Sequence, residues 1–184
     1  LDSLSAVTLL REREIDAFVD LGSGGGFPGL PLACALPARR ALLLDSIAKK
    51  VRFLETAVSA LEAEALLPAG AVDAAALRAE TLAADPRHRE RWPAVTARAV
   101  TELGELDELA FPLLRPGGLL VAWKRVGLEE ELAAARALLP ALGGGRVELR
   151  AVRLDGLEDH RLVVVTKLGP TPDRYPRPPA ERRR

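Results

Sequence analysis

A glycine-rich segment near the start of the chain constrains the fold more than any other feature. Residues 20–29 read DLGSGGGFPG, follow the apolar run 17–19 and precede segment 30–36, whose composition predicts a helix. A tight turn from a strand into a helix uses backbone conformations with positive φ, which glycine adopts without steric cost. The pattern therefore predicts a strand, a close turn and a helix, the first unit of a parallel α/β sheet.

The rest of the chain alternates between strand and helix patterns. Helices are predicted over segments 4–11, 46–62, 102–114 and 128–142, and strands over the apolar runs 17–21, 41–44, 72–77, 95–99, 119–123, 147–154 and 162–168. The Pro-Gly-Gly segment 115–118 predicts a turn. Because only a short loop separates the last two strands, one of them is expected to run antiparallel. We predict an α/β fold with a mostly parallel seven-stranded sheet, one antiparallel strand and helices on both faces.

Length and composition limit the architecture. The chain has 184 residues and a formal net charge of zero, so we predict one domain over 1–168 and an irregular, basic, Pro- and Arg-rich tail over 169–184. Its one cysteine, Cys34, excludes an internal disulfide and is expected to be a buried structural thiol. We predict no metal site.

The chain shows no targeting or membrane-spanning segment. No apolar run approaches the roughly 20 residues that span a bilayer, and no signal peptide is visible. We therefore expect a cytoplasmic protein without membrane contact. The sequence begins at Leu1 and has no methionine, which indicates a fragment of a longer protein.

The glycine-rich segment satisfies two cofactor motifs. Residues 24–29 match G-x-G-x-x-G, the dinucleotide fingerprint, and residues 20–26 match D-x-G-x-G-x-G, the first motif of class I S-adenosylmethionine methyltransferases. A dinucleotide fold holds a pyrophosphate at the helix N-terminus, whereas S-adenosylmethionine carries a sulfonium cation that suits Asp20. The segment alone modestly favours the methyltransferase. Its predicted cofactor contacts are Asp20, Gly22, Ser23, Gly24, Gly26 and Phe27.

Asp45 strengthens the prediction of an adenosyl cofactor. It follows the apolar run 41–44, which is typical of a buried parallel strand. A carboxylate there can accept hydrogen bonds from both ribose hydroxyls, in either cofactor class. The alternative is that Asp45 or Ser46 caps the helix that follows.

Several short motifs together identify a family. They are Asp2-Ser3-Leu4, Gly-Phe-Pro-Gly at 26–29, Asp45-Ser46 followed by Lys49-Lys50, Arg78-Ala79-Glu80, Ala97-Arg98-Ala99-Val100, Pro116-Gly117-Gly118 with Lys124, and Tyr175-Pro176-Arg177. With these motifs the chain resembles, over nearly its whole length, the bacterial small-subunit ribosomal RNA methyltransferase G family, also called glucose-inhibited division protein B. Family members have an N-terminal helical region upstream of Asp2 that this sequence lacks.

The resemblance implies a class I, Rossmann-like methyltransferase. It would transfer a methyl group from S-adenosylmethionine, leaving S-adenosylhomocysteine, to N7 of a guanine in the 530 loop of 16S ribosomal RNA. The implied partner is 16S ribosomal RNA or the small ribosomal subunit, and the chain is expected to act as a monomer. Guanine N7 has a lone pair and no proton to remove, so catalysis requires alignment rather than a general base.

The resemblance also implies roles for residues after the later strands. Ala79 and Glu80 would lie against the adenine, although Glu80 also suits the first turn of a helix. Arg98 would adjoin the cofactor and contact the guanine O6 or a phosphate, the alternative being a salt bridge. Lys124 would reach a phosphate or the base, the alternative being a solvated charge. We therefore predict Arg98 and Lys124 as the catalytic-site residues.

With no net charge, RNA must be held by local basic patches. The candidates are Lys49, Lys50 and Arg52; Arg87, His88, Arg89 and Arg91; and, in the tail, Arg174, Arg177, Arg182, Arg183 and Arg184. Two alternatives to the methyltransferase stay open. An NAD(P)-dependent oxidoreductase would need a proton donor, yet the only tyrosine, Tyr175, lies in the tail. A non-catalytic cofactor-binding or RNA-binding fragment is the other.

Overall fold

One seven-stranded sheet organises the molecule. The computed structural model describes residues 1–36 and 38–182. The strands are β1 (Ala17–Leu21), β2 (Arg40–Asp45), β3 (Val72–Ala76), β4 (Trp92–Arg98), β5 (Leu114–Arg125), β6 (Gly145–Ala151) and β7 (His160–Lys167). They lie in the order β3-β2-β1-β4-β5-β7-β6, and only β7 runs antiparallel to its neighbours. The predicted fold class and strand directions are confirmed.

Helices cover both faces of the sheet. They are α1 (Val7–Glu12), α2 (Gly29–Ala35), α3 (Ala48–Ala63), α4 (Ala79–Ala84), α5 (Leu103–Ala110), α6 (Glu129–Leu138) and the short α7 (Pro179–Arg182). One 3-10 turn (Asp2–Ala6) precedes α1, and another (Leu139–Leu142) follows α6. Side chains alternate along each strand, so Phe18 and Leu43 pack with α1–α3, whereas Val19 and Leu42 pack with α4–α6.

Two local predictions were wrong. The Pro-Gly-Gly segment 115–118 lies within β5 and not before it, because the β4–β5 register shifts between Trp92 and Ala94 and accommodates the extra residues as a bulge. Cys34 is exposed rather than buried. The short helix α2 turns Leu32 and Ala33 into the core and leaves Cys34 on its outer side.

The strand order places a crevice at the middle of the sheet. From β1 the chain moves outward to β2 and β3, and then returns to β4 on the other side of β1. Such a reversal leaves room for a ligand beyond the carboxyl ends of the strands. We call the edge at which β1–β5 end the carboxyl edge, and the opposite edge the amino edge.

Candidate cofactor site

A cavity of about 360 Å³ opens at the carboxyl edge, beyond the ends of β1–β4. Four predicted site residues line it, namely Gly22, Asp45, Ala79 and Glu80. Its walls also include residues from the loops after β2, β3 and β4, from α3 and α5, and from the tail: Ser46, Ile47, Lys50, Arg78, Ala99, Val100, Thr101, Glu105, Pro179 and Arg182. We refer to it as the strand-end cavity.

The glycine loop (residues 22–28) has the backbone geometry that its sequence predicts. Gly22, Gly24 and Gly26 all have positive φ, of 67°, 55° and 93°. A Cβ at Gly22 would also lie 2.8 Å from Val100 Cγ2, on the far wall of the cavity. Glycine at position 22 therefore satisfies both the turn and the close approach of the loop after β4.

Asp20 is fully buried beneath the glycine loop and does not line the cavity. Thr96 Oγ1 donates a 2.7 Å hydrogen bond to Asp20 Oδ1, and the backbone N–H of Gly29 donates at 3.2 Å to Oδ2. Burial raises the pKa of Asp20 to about 6, although these hydrogen bonds oppose the shift. The carboxylate therefore connects β1, β4 and the start of α2, and a contact between Asp20 and a cationic cofactor stays a prediction.

The other predicted residues of the glycine loop have different positions. Ser23 is buried, and its hydroxyl donates to the carbonyl of Asp20 at 2.9 Å. The N–H of Gly24 donates to Asp45 Oδ2 at 3.0 Å. Gly26 packs against Leu30, and Phe27 is 56% exposed. The loop is therefore held by the sheet and by Asp45, with Phe27 at its surface.

Asp45 fixes the turn that leads into α3, and its contact with a ribose stays a prediction. Its Oδ1 accepts a 2.9 Å hydrogen bond from the N–H of Ile47, just before α3, and this fixes the helix entry. Its Oδ2 accepts from the N–H of Gly24, and Lys50 Nζ lies 3.5 Å away. The same carboxylate forms part of the cavity wall, where its remaining lone pairs can accept ligand hydroxyls.

Ala79 and Glu80 lie at the start of α4, one strand farther from the sheet centre than Asp45. Glu80 Oε1 accepts a hydrogen bond from Arg182. Burial opposes ionisation of Glu80, but the hydrogen bond and charge of Arg182 outweigh it, so the pKa of Glu80 is lowered. Glu80 is therefore a charged group on the cavity wall, and it also occupies the first turn of α4.

Arg98 and Lys124 lie beside the cavity rather than in its wall. Arg98 Nη1 is 3.3 Å from Asp2 Oδ2, so the salt bridge considered as an alternative is present, while 38% of the side chain remains exposed. Lys124 Nζ is bonded to Glu131 and, at 2.9 Å, to the carbonyl of Thr101. It is therefore a largely buried ion-pair partner rather than a solvated charge. Substrate contact by either residue stays a prediction.

Sequence reasoning missed two parts of the cavity wall. The loop after β4 supplies Val100 and Thr101, where Ala99 adopts a positive φ of 55°. The tail supplies Pro179 and Arg182 from more than 70 residues farther along the chain. The position of the loop follows from the end of a predicted strand, but no periodicity or motif in the sequence locates the tail.

The basic patches differ in their position relative to the cavity. Lys49, Lys50 and Arg52 are exposed at the start of α3, on the carboxyl edge. The segment 87–91 precedes β4 and therefore lies at the amino edge, where Arg87 pairs with Asp85 at 2.7 Å and His88 stacks on Trp92. In the tail, Arg177 and Arg182 form internal ion pairs and Arg174 is exposed. Arg183 and Arg184 lie outside the described residues.

Neither a metal-binding cluster nor a membrane-spanning helix occurs in residues 1–36 and 38–182. These residues contain no grouping of three or more His, Cys, Asp or Glu side chains that could hold a metal ion. They also contain no helix that is long and apolar enough to cross a lipid bilayer.

Solved structures identify the class of fold. The chain is similar to an O-methyltransferase from Bacillus cereus crystallised with SAH, with a TM-score of 0.66 and 17% identity, over 90% of this chain and 80% of the other. It is also similar to an rRNA methylase from Streptococcus thermophilus, with a TM-score of 0.59 and 17% identity, over 91% and 93% of the two chains. The fold is that of the S-adenosylmethionine-dependent methyltransferases.

Sequence comparisons identify the family. The family model described as rRNA small subunit methyltransferase G (GidB) matches residues 1–155. A protein named ribosomal RNA small subunit methyltransferase G from Deinococcus deserti is 48% identical to this chain, over 86% of this chain and 63% of that protein. A protein of the same name from Pelotomaculum thermopropionicum is 38% identical, over 97% of this chain and 73% of that protein. The chain belongs to this family. It spans slightly less than two thirds of the length of several curated relatives.

Proposed function

We propose that this chain binds S-adenosylmethionine in the strand-end cavity and transfers its methyl group to N7 of a guanine in the 530 loop of 16S ribosomal RNA. The observation that carries the proposal is Asp45, a carboxylate fixed at the end of β2 in the wall of that cavity. An acidic residue at the end of a parallel strand beside a glycine loop suits ribose hydroxyls, and the chain belongs to the methyltransferase G family. The names of the relatives support a ribosomal RNA substrate.

The residues present fit an adenosyl cofactor. Asp45 can accept the two ribose hydroxyls, and Gly22 forms part of the cavity wall without a side chain that would fill it. The bound cofactor would supply an electrophilic methyl group on a sulfonium. Because guanine N7 has a free lone pair, the chain has no proton to remove, and its contribution is to hold the two reactants in line. Arg98, which ends β4 beside the cavity and is partly exposed, is suited to hold the guanine or its phosphate.

Exposed side chains next to the cavity support a nucleic-acid substrate. Phe27 in the glycine loop and Phe53 in the first turns of α3 are 56% and 55% exposed, and Lys49 and Arg52 are exposed beside Phe53. Aromatic faces stack on unpaired bases, and cations neutralise phosphates. We propose that 16S ribosomal RNA or the small ribosomal subunit approaches this edge, with the chain acting as a cytoplasmic monomer.

Titration calorimetry with S-adenosylhomocysteine and, separately, with NADH tests the cofactor class. We expect binding of S-adenosylhomocysteine alone, because the chain belongs to the methyltransferase G family. An oxidoreductase would also need a proton donor near the nicotinamide, and Tyr175, the only tyrosine, is buried at the amino edge, where Arg89 bonds to its carbonyl. Binding of NADH alone, or of neither ligand, would contradict the proposed cofactor site.

Methyl transfer to purified small ribosomal subunits then tests the activity. With methyl-labelled S-adenosylmethionine, we expect label in 16S ribosomal RNA at a guanine where borohydride reduction followed by aniline cleaves the strand, which is the signature of N7 methylation. Cofactor binding with no label in either naked RNA or subunits would instead establish a non-catalytic fragment.

Arg98→Ala is expected to lower methyl transfer about 10-fold while leaving S-adenosylhomocysteine affinity within about 2-fold, since a contact to the substrate is lost and the cavity wall is unchanged. Calorimetry and single-turnover transfer measure the two effects. Arg125→Ala is the matched control, because Arg125 is an exposed arginine at the end of β5, paired with Asp159 at 3.4 Å. Equal losses of affinity and transfer in Arg98→Ala would show that its pairing with Asp2 is purely structural.

A further inference from the structure

The tail begins at the amino edge, where two residues before β4 hold its backbone. The guanidinium of Arg89 donates to the carbonyls of Thr171, Pro172 and Tyr175 at 3.0 to 3.2 Å. The carboxylate of Glu90 accepts from the N–H of Thr171 at 2.7 Å. This part of the tail is therefore fixed to the domain by hydrogen bonds and is not a free basic arm.

The middle of the tail crosses α5. Arg177 Nε and Nη2 lie 3.0 and 2.7 Å from Glu108 Oε2, and the N–H of Arg177 donates to Oε1 at 2.5 Å. Glu108 is buried, so this bidentate ion pair is screened by solvent less than a surface pair is. It directs the following residues toward the carboxyl edge.

The described part of the tail ends at the strand-end cavity. Arg182 in α7 bonds to Glu80 in α4 and lies 3.3 Å from Glu105 Oε1 in α5, with only 4% of its side chain exposed. Pro179 and Arg182 both belong to the cavity wall. A guanidinium thus connects two carboxylates that belong to two different helices on the same wall.

The strand order indicates which end of a bound adenosyl ligand this wall would meet. Asp45 ends β2 and would hold the ribose. The carboxyl end of β3, which leads to Glu80, lies one strand farther from the centre of the sheet. The methyl-bearing end would face β4, because Arg98, the proposed substrate contact, ends that strand. Arg182 and Glu80 therefore flank the ribose on the side where the adenine extends.

We propose that Arg182 is a positioning residue for the cofactor, and that through it the tail forms the outer wall of the adenine end of the cavity. This inference rests on the proposed S-adenosylmethionine site. Arg182 bridges Glu80 and Glu105, offsets one of their two negative charges and holds α4 and α5 together at the adenine end. Without it the two carboxylates repel each other across the cavity mouth, and the adenine end loses its wall.

The test compares Arg182→Ala, Arg182→Lys and the control Arg174→Ala, which removes an exposed tail cation that stacks on Tyr175. The calorimetric ligands are S-adenosylhomocysteine and 5′-methylthioadenosine, which keeps the adenosine but lacks the amino-acid end. We expect Arg182→Ala to weaken both ligands by the same factor, about 10-fold, and Arg182→Lys to restore part of the loss. Arg174→Ala should bind both ligands as the unmodified chain does. The melting temperatures of all three variants should stay close to that of the unmodified chain, so that a loss of affinity cannot be attributed to unfolding.

Two results would overturn this inference while leaving the proposed cofactor site intact. One is unchanged affinity in Arg182→Ala although the unmodified chain binds S-adenosylhomocysteine. The other is a loss confined to S-adenosylhomocysteine, which would assign Arg182 to the amino-acid end. If the unmodified chain binds neither ligand, the proposed cofactor site fails, and the inference that rests on it fails too.

Discussion

Asp45→Ala is expected to weaken S-adenosylhomocysteine binding about 100-fold. Two charge-assisted hydrogen bonds to the ribose hydroxyls would be lost, at roughly 1.5 kcal/mol each, and 1.4 kcal/mol corresponds to a factor of ten in affinity. The substitution also removes the acceptor for the N–H groups of Gly24 and Ile47, so the glycine loop and the start of α3 lose a common anchor. Titration calorimetry measures the change in Kd.

Two companion variants separate the ribose contact from the anchor. Asp45→Asn keeps one oxygen acceptor and about the same volume, and we expect it to lose about 10-fold in affinity, intermediate between the native carboxylate and alanine. Asp73→Ala removes an exposed carboxylate on the neighbouring strand β3 and should leave Kd unchanged. An Asp45→Ala chain that binds with native affinity would remove Asp45 from the cofactor site and leave it only the role of fixing the helix entry.

The glycine loop and the strands on either side of it, β1 and β2, follow from local sequence patterns. The predicted strand 17–21 is β1, and the predicted positive-φ glycines are present, because an apolar run and a glycine turn are determined by neighbouring residues. The same holds for Asp45, whose position at a strand end follows from the four apolar residues before it. Ends of parallel strands converge on one edge of the sheet, and this brings Gly22, Asp45 and Glu80 into one cavity.

The remaining features depend on contacts between residues distant in sequence. Arg98 pairs with Asp2, Asp20 accepts from Thr96, and Arg182 bonds to Glu80 across 102 positions. No local pattern encodes such pairs, since each requires the assembled sheet to bring its partners together. The docked course of the tail is the clearest example: its composition alone predicts a solvated basic segment, whereas Glu108 and Glu80 fix two of its arginines.

Asp107 shows that the burial of an ionisable side chain, too, cannot be predicted from the local sequence. It lies in the helix predicted over 102–114 and observed as α5, among acidic neighbours that are solvated or paired. In the structure it is fully buried, and neither carboxyl oxygen has a hydrogen-bond partner among the described residues. Burial raises the pKa of Asp107 to about 8; the charge of Lys124 opposes this shift, and that of Glu131 adds to it.

This raised pKa makes Asp107 a pH-dependent cost to stability. In the unfolded chain the carboxyl ionises near pH 4, whereas in the folded chain it keeps its proton up to about pH 8. Between these values the folded state binds one more proton, so the free energy of unfolding falls by about 1.4 kcal/mol per pH unit as the pH rises. The cost is therefore absent below pH 4, where both states hold the proton, and it grows to roughly 5 kcal/mol by pH 8.

Asp107→Asn is expected to remove this slope. Asparagine has nearly the same shape and does not titrate, so the free energy of unfolding of the variant should exceed that of the unmodified chain by an amount that grows with pH. Between pH 6 and 8 the difference should grow by roughly 2 kcal/mol. Asp20, whose pKa is about 6, contributes a similar slope only at lower pH, and that slope is common to both chains. Urea unfolding at pH 5, 6, 7 and 8 measures the difference, with the exposed Asp155→Asn as the control. A difference that stays constant from pH 6 to 8 would show that Asp107 is already ionised in the folded protein, in which case Lys124 must compensate its charge across α5 and β5.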